Sequence, residues 1–103
     1  MTNEEYMEFT RTVASYDQSV AVDYLIHGLT SEAGEVAGKR KKELRDGTYN
    51  QGAFLNEVGD CLWYITRICD EWGITLEDLM VMNKDKLQSR KDRGTLGGSG
   101  DDR

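Results

Sequence analysis

Two pairs of carboxylates stand where apolar side chains belong. Around the stretch "LTSEAGEV", Leu25, Leu29, Glu32 and Val36 follow one another at helical steps and form one line down one face, with a glutamate inside it. A second line, Phe54, Glu57, Cys61, Ile65 and Ile68, is interrupted in the same way. Each misplaced acid is followed three residues later by another, Glu35 after Glu32 and Asp60 after Glu57, and that spacing keeps both members of a pair on one helical surface. If the two helices are antiparallel neighbours, four carboxylates converge in a partly apolar pocket, where uncompensated charge is strongly unfavourable. Protonation of some members, a basic side chain or a divalent cation would each relieve it. Four hard oxygen donors without a suitably spaced histidine or cysteine favour Mg²⁺, or Mn²⁺, over zinc or iron. The single histidine, His27, is out of register for the Glu-x-x-His pattern of di-iron bundles. The plainer alternative, acids that are solvated or bridged to the many lysines, suits one E-x-x-E pair better than two on adjacent apolar faces.

Helices must position these acids, and the punctuation of the chain predicts four. Proline is absent and glycines fall at a few places. A first amphipathic helix is expected over about residues 3 to 15, with Tyr6, Met7, Phe9 and Val13 inward, followed by a loop around "SYDQS". The second runs from about 20 to 45 and stops before Gly47, which suits the left-handed position past a helix end. Gly28, Gly34 and Gly38 inside it each cost up to ~1 kcal/mol relative to alanine, which points to the close approach of another group or to a kink. The third covers about 50 to 72 and ends at Gly73; Thr75 then reads as the N-cap of a fourth, with Glu77 and Asp78 in its first turn and an end near Arg93. The expectation is an all-α four-helix bundle over residues 1–93, with 94–103, "GTLGGSGDDR", a flexible glycine-rich tail.

Composition narrows the function classes. A formal net charge of −6 argues against a general nucleic-acid or membrane-surface binder, and no run approaches the ~20 apolar residues of a membrane span. The N-terminus "MTNEEYMEF" has no secretory pattern. Cys61 and Cys69 lie on one helix about 12 Å apart, beyond the reach of a disulfide, and unpaired thiols suit a cytoplasmic location. At 103 residues the core is modest, so oligomerisation is expected.

"EAGE" at Glu32 to Glu35 and "EVGD" at Glu57 to Asp60 carry a resemblance. With "GLTSEAGEVAGKRKKELRDG", "FLNEVGDCLWYI" and "MNKDKLQSRKDRGTLGGSGDDR", the chain from about residue 24 onward resembles the all-α nucleoside triphosphate pyrophosphohydrolases of the MazG-like superfamily, in the short single-domain form found in phages and bacteria. The resemblance implies Mg²⁺-dependent cleavage of a (d)NTP between the α- and β-phosphates to monophosphate and pyrophosphate. It implies Glu32, Glu35, Glu57 and Asp60 as metal-binding and catalytic acids, and a homodimer or dimer of dimers. Asn83 and Lys86, at an N-x-x-K spacing on the fourth helix in line with Leu76, Met80 and Leu87, are then substrate contacts, with Arg90 following. Lys39 and Lys42, four and seven residues after Glu35, are candidates for the polyphosphate, and Trp63 and Tyr64 on the third helix, or Tyr16 and Tyr24 flanking the loop into the second, for stacking on the base, with core or subunit interface the commoner fate of such rings. The tail could act as a lid over phosphates. Other readings are a hydrolase of the same superfamily with another substrate (dUTP, phosphoribosyl-ATP or an alarmone) and a non-catalytic helical interaction module.

Overall fold

The computed structural model describes residues 1–103 and contains four α-helices and no strands, as the punctuation predicts. They are α1 (Asn3–Thr12), α2 (Ala21–Asp46), α3 (Gln51–Glu71) and α4 (Leu76–Asp92), with a 3₁₀ turn at Gln18–Val20. Local chemistry sets each boundary. Thr2 and Glu5 form a reciprocal capping box ahead of α1, and Thr75 and Asp78 form another ahead of α4. Gly47 ends α2 at φ 70°, donating its N–H to the Glu43 carbonyl at 2.9 Å. Asn50 then starts α3 by accepting the Ala53 N–H at 3.0 Å.

The four-residue connection 47–50 turns α2 and α3 into a long antiparallel hairpin, the principal packing of the molecule. α1 lies across α3, and α4 packs on α1 and α3 but not on α2. The small core at this crossing holds Met7, Cys69 and Leu76, with Tyr6, Ile65, Ile74 and Leu79 packed against it.

Two apolar stripes depart from expectation. α1 ends at Thr12, and Phe9 and Val13 are each 52% exposed. The inward position belongs instead to Thr10, because Arg67 is buried beneath α1 and takes the Thr10 hydroxyl as an acceptor at 3.3 Å, while that hydroxyl donates to the Met7 carbonyl at 2.7 Å. Arg67 also pairs with Asp70 and Glu71 and donates to the Tyr16 hydroxyl at 3.1 Å. Arg11 reaches Asp70 from the other side at 2.7 Å. On α4, Leu76 is buried, but Met80, Asn83 and Leu87 are exposed, since no helix of this chain covers that stripe.

Only nine of the 103 residues are buried. The accessible surface is 7407 Å², whereas a compact monomer of this mass exposes about 5,900 Å². The radius of gyration is 16.5 Å against about 13 Å for a compact chain of this length. Residues 94–103 coil back onto the end of α4, where Arg90 donates to the Asp101 carbonyl at 2.7 Å and the Arg103 guanidinium donates to the Thr95 carbonyl at 3.1 Å.

Candidate metal centre

The hairpin register decides which acids meet. Moving away from the 47–50 turn, α2 and α3 run in opposite directions, so Glu32 comes level with Asp60 and one turn of α3 separates Asp60 from Glu57. Oxygen atoms of Glu32, Glu57 and Asp60 all lie within 4.8 Å of one another. Glu32 and Glu57 are half-buried and Asp60 is exposed at the rim. Glu35 is not part of this triplet; it is exposed, one turn further along α2, although its charge is still felt by Glu32.

Nothing basic neutralises the triplet. Every ion pair in the chain involves Asp46, Asp70, Glu71 or Asp101, and none involves Glu32, Glu57 or Asp60. The lysine bridges that would have made these acids ordinary surface charges are absent. Burial raises the Glu32 pKa, and the charges of Asp60, Glu57 and Glu35 raise it further. Three hard oxygen donors converging without a counter-charge fit a divalent cation of the Mg²⁺ or Mn²⁺ type.

Beside the triplet lies a cavity of about 320 Å³ lined by Glu32, Asp60, Trp63 and Tyr64. Its two aromatic walls meet edge to face, the Trp63 and Tyr64 centroids 5.0 Å apart at 86°. Tyr16 stacks on Tyr24 at 5.5 Å and meets the edge of Trp63 at 6.4 Å, so four rings form one connected cluster between the 3₁₀ turn, α2 and α3. The Trp63 indole nitrogen is buried without a hydrogen-bond partner. Burial pushes the Tyr64 phenol up, with Tyr24, Glu32 and Asp60 adding to it.

The other residues singled out from the sequence belong neither to the triplet nor to the lining of its cavity. Lys39 is half-buried and Lys42 exposed, and neither makes an ion pair. Asn83 is exposed on α4. Lys86 and Arg90 are both occupied by the Asp101 carboxylate, at 3.5 and 3.2 Å. His27 is exposed. Two further residues bear on the site, and the sequence marks both only generally, Tyr6 as inward on α1 and Gly28 as a glycine inside α2 that implies a close approach or a kink. The Tyr6 phenol, packed from α1 against the core, is raised first by burial and then by the Asp60 charge. Gly28 lies against the Tyr64 ring.

The family model described as the MazG nucleotide pyrophosphohydrolase domain matches residues 20–95, a span that includes both acidic pairs, the aromatic pair and Asn83, Lys86 and Arg90. A relative, the Gene 37 protein of Mycobacterium phage L5, is 40% identical over 92 residues, covering 84% of this chain and 81% of that protein. No solved structure matches.

Proposed function

The chain belongs to the MazG nucleotide pyrophosphohydrolase family, and on that premise we propose that it is a Mg²⁺-dependent enzyme cleaving (d)NTPs between the α- and β-phosphates. The observation that carries this reading is the convergence of Glu32, Glu57 and Asp60 within 4.8 Å with no basic partner. These three carboxylates would hold the metal, with Mn²⁺ an acceptable substitute. When bound, Mg²⁺ neutralises charge on the phosphate oxygens and makes a nearby water more acidic. Glu35, one helical turn away and outside the triplet, is the carboxylate free to accept that water's proton. The water oxygen bonds to phosphorus at the α,β bridge, the bridging P–O bond breaks, and pyrophosphate leaves with the bridging oxygen.

Trp63 and Tyr64 present the faces on which a base can stack, and the unpartnered Trp63 N–H is a donor for an acceptor on the base or sugar. Lys39 and Lys42 on α2, and Asn83, Lys86 and Arg90 on α4, supply donors for the polyphosphate. The α4 set engages only when phosphate displaces Asp101 from Lys86 and Arg90.

In this reading the working unit is a homodimer or dimer of dimers. The accessible surface exceeds that of a compact monomer by about 1,500 Å², the scale one subunit buries in an obligate dimer. An apolar groove of about 340 Å³ lined by Leu29, Ile65, Ile68, Trp72, Ile74 and Leu79 adds to the uncovered surface. The free thiols of Cys61 and Cys69 suit a reducing cytoplasm, and no helix is long and apolar enough to cross a membrane.

The test is chromatography of products after incubation with Mg²⁺ and each of the eight common ribo- and deoxyribonucleoside triphosphates, with dUTP, phosphoribosyl-ATP and an alarmone alongside. Monophosphate with pyrophosphate in equal amounts is expected. Diphosphate with orthophosphate would refute α,β-cleavage, and survival of every compound would refute the enzyme.

A further inference from the structure

Gly28 stands where the backbone of α2 touches an aromatic ring. A β-carbon at this position would overlap Cε1 of Tyr64 and lie 2.5 Å from Cζ and 2.6 Å from Cδ1, far inside any real contact. The phenol ring therefore occupies the space a side chain at position 28 would need. Gly28 has an ordinary helical φ, so its backbone does not require glycine. In a helix interior, glycine is also the poorer helix former. Gly34 and Gly38 of the same helix have nothing within 4 Å of such a carbon, so among the glycines of α2 this steric demand within the chain is particular to position 28.

What the ring does there links position 28 to the site. Tyr64 is one wall of the cavity that also holds Glu32 and Asp60, and Gly28 precedes Glu32 by one helical turn. Tyr64 meets Trp63 edge to face at 5.0 Å and lies 6.5 Å from Tyr24, so a displaced ring would disturb both. The acids, by contrast, are set by the hairpin register and do not depend on the ring.

We propose that Gly28 is a positioning residue for nucleotide recognition: by admitting the Tyr64 ring against α2, it sets the width of the cavity between the aromatic wall and the carboxylates, and so which base fits. The inference rests on the nucleotide reading of this site. A methyl group at position 28 drives the ring toward the cavity and Trp63 while leaving Glu32, Glu57 and Asp60 in register. Base selection then suffers and the phosphate chemistry does not.

The experiment compares the natural chain with Gly28→Ala, Tyr64→Ala and the double variant, measuring kcat and KM for the same nucleotide panel and Trp63-region fluorescence on titration with nucleoside monophosphates. For Gly28→Ala, KM for the best nucleotide is expected to rise by about fivefold to a hundredfold, the range that loss of one base–aromatic stack produces. The preference between bases should flatten while kcat stays within about threefold, the signature of lost binding rather than lost chemistry. In the Tyr64→Ala background, where the space is free, adding Gly28→Ala should change KM by less than about twofold. Gly38→Ala, with open space around it, should leave base preference unaltered. Unchanged KM and preference in Gly28→Ala, or an even fall in kcat for all bases, would overturn the proposal while leaving the enzyme reading intact. If Gly28→Ala alone fails to fold, a folded double variant supports the steric relation and an unfolded one overturns it. A natural chain that neither hydrolyses nor binds any nucleotide would overturn both.

Discussion

Replacing Glu57 by Gln should remove activity and at the same time make the metal-free protein more stable. Oxygens of Glu32, Glu57 and Asp60 lie within 4.8 Å of one another. At that distance two unit charges repel by about 0.9 kcal/mol in water and about 3.5 kcal/mol at an effective dielectric of 20. The substitution removes two of the three pairs and keeps the side-chain volume. Asp60 is exposed, so solvent screening holds the gain near the lower figure, about 1 to 2 kcal/mol in all. For a domain of this size that corresponds to roughly 5 to 10 °C in Tm. Mg²⁺ should raise the Tm of the natural chain, because it binds the folded cluster, and should do so far less in Glu57→Gln. The assay is thermal unfolding by circular dichroism with chelator and with millimolar Mg²⁺, alongside turnover of the best nucleotide. A chelator-phase Tm that falls, together with a Mg²⁺ shift equal to that of the natural chain, would refute the claim that these acids are a strained, unpaired metal site.

Arg67→Met should cost about 2 to 3 kcal/mol by denaturant unfolding, below the ~3–5 kcal/mol of a fully orphaned buried pair, because Asp70 keeps Arg11 and Glu71 keeps Tyr16 and Gln18. Hydrogen bonds from Arg11 and then Arg67 hold Asp70 at about 2, below its usual 3.8. Its contribution to stability is therefore complete above the unfolded value and lost as pH falls from about 4 through 2; Arg67→Met should flatten that acid limb, and an unchanged limb would exclude the assigned pairing. Deleting residues 94–103 removes Asp101 from Lys86 and Arg90, so KM should fall because phosphate no longer displaces that carboxylate; a rise would instead show the segment closing over phosphates as a lid, and unaltered kinetics would reject both. Light scattering should give a mass of twice or four times 11.7 kDa, and a persistent monomer at micromolar concentration would contradict the assembly read from the exposed surface.

Helix ends were legible because capping is local chemistry. Thr75 with Asp78, Gly47 and Gly73 each act within one turn of themselves, and the structure follows them to within a residue or two. The acidic pairs were legible for a related reason: a carboxylate on an apolar stripe contradicts the pattern around it, and two contradictions at matching positions reinforce each other. The first helix shows where such reading stops. Phe9 and Val13 are apolar at the right spacing, yet the contact on α3 is made through Thr10 because an arginine lies beneath it.

The sequence alone determined the elements, the presence of acids on otherwise apolar helix stripes and the family resemblance, since helical periodicity and capping follow from covalent geometry over three or four residues. Only the tertiary structure decided that three acids converge and Glu35 stands apart, that Lys86 and Arg90 hold the chain's own Asp101, and that Gly28 makes room for Tyr64. Those outcomes depend on the register and splay of whole helices against one another. A shift of one turn carries a side chain about 5.4 Å along the axis, more than the width of the cluster itself, and no local pattern encodes that distance.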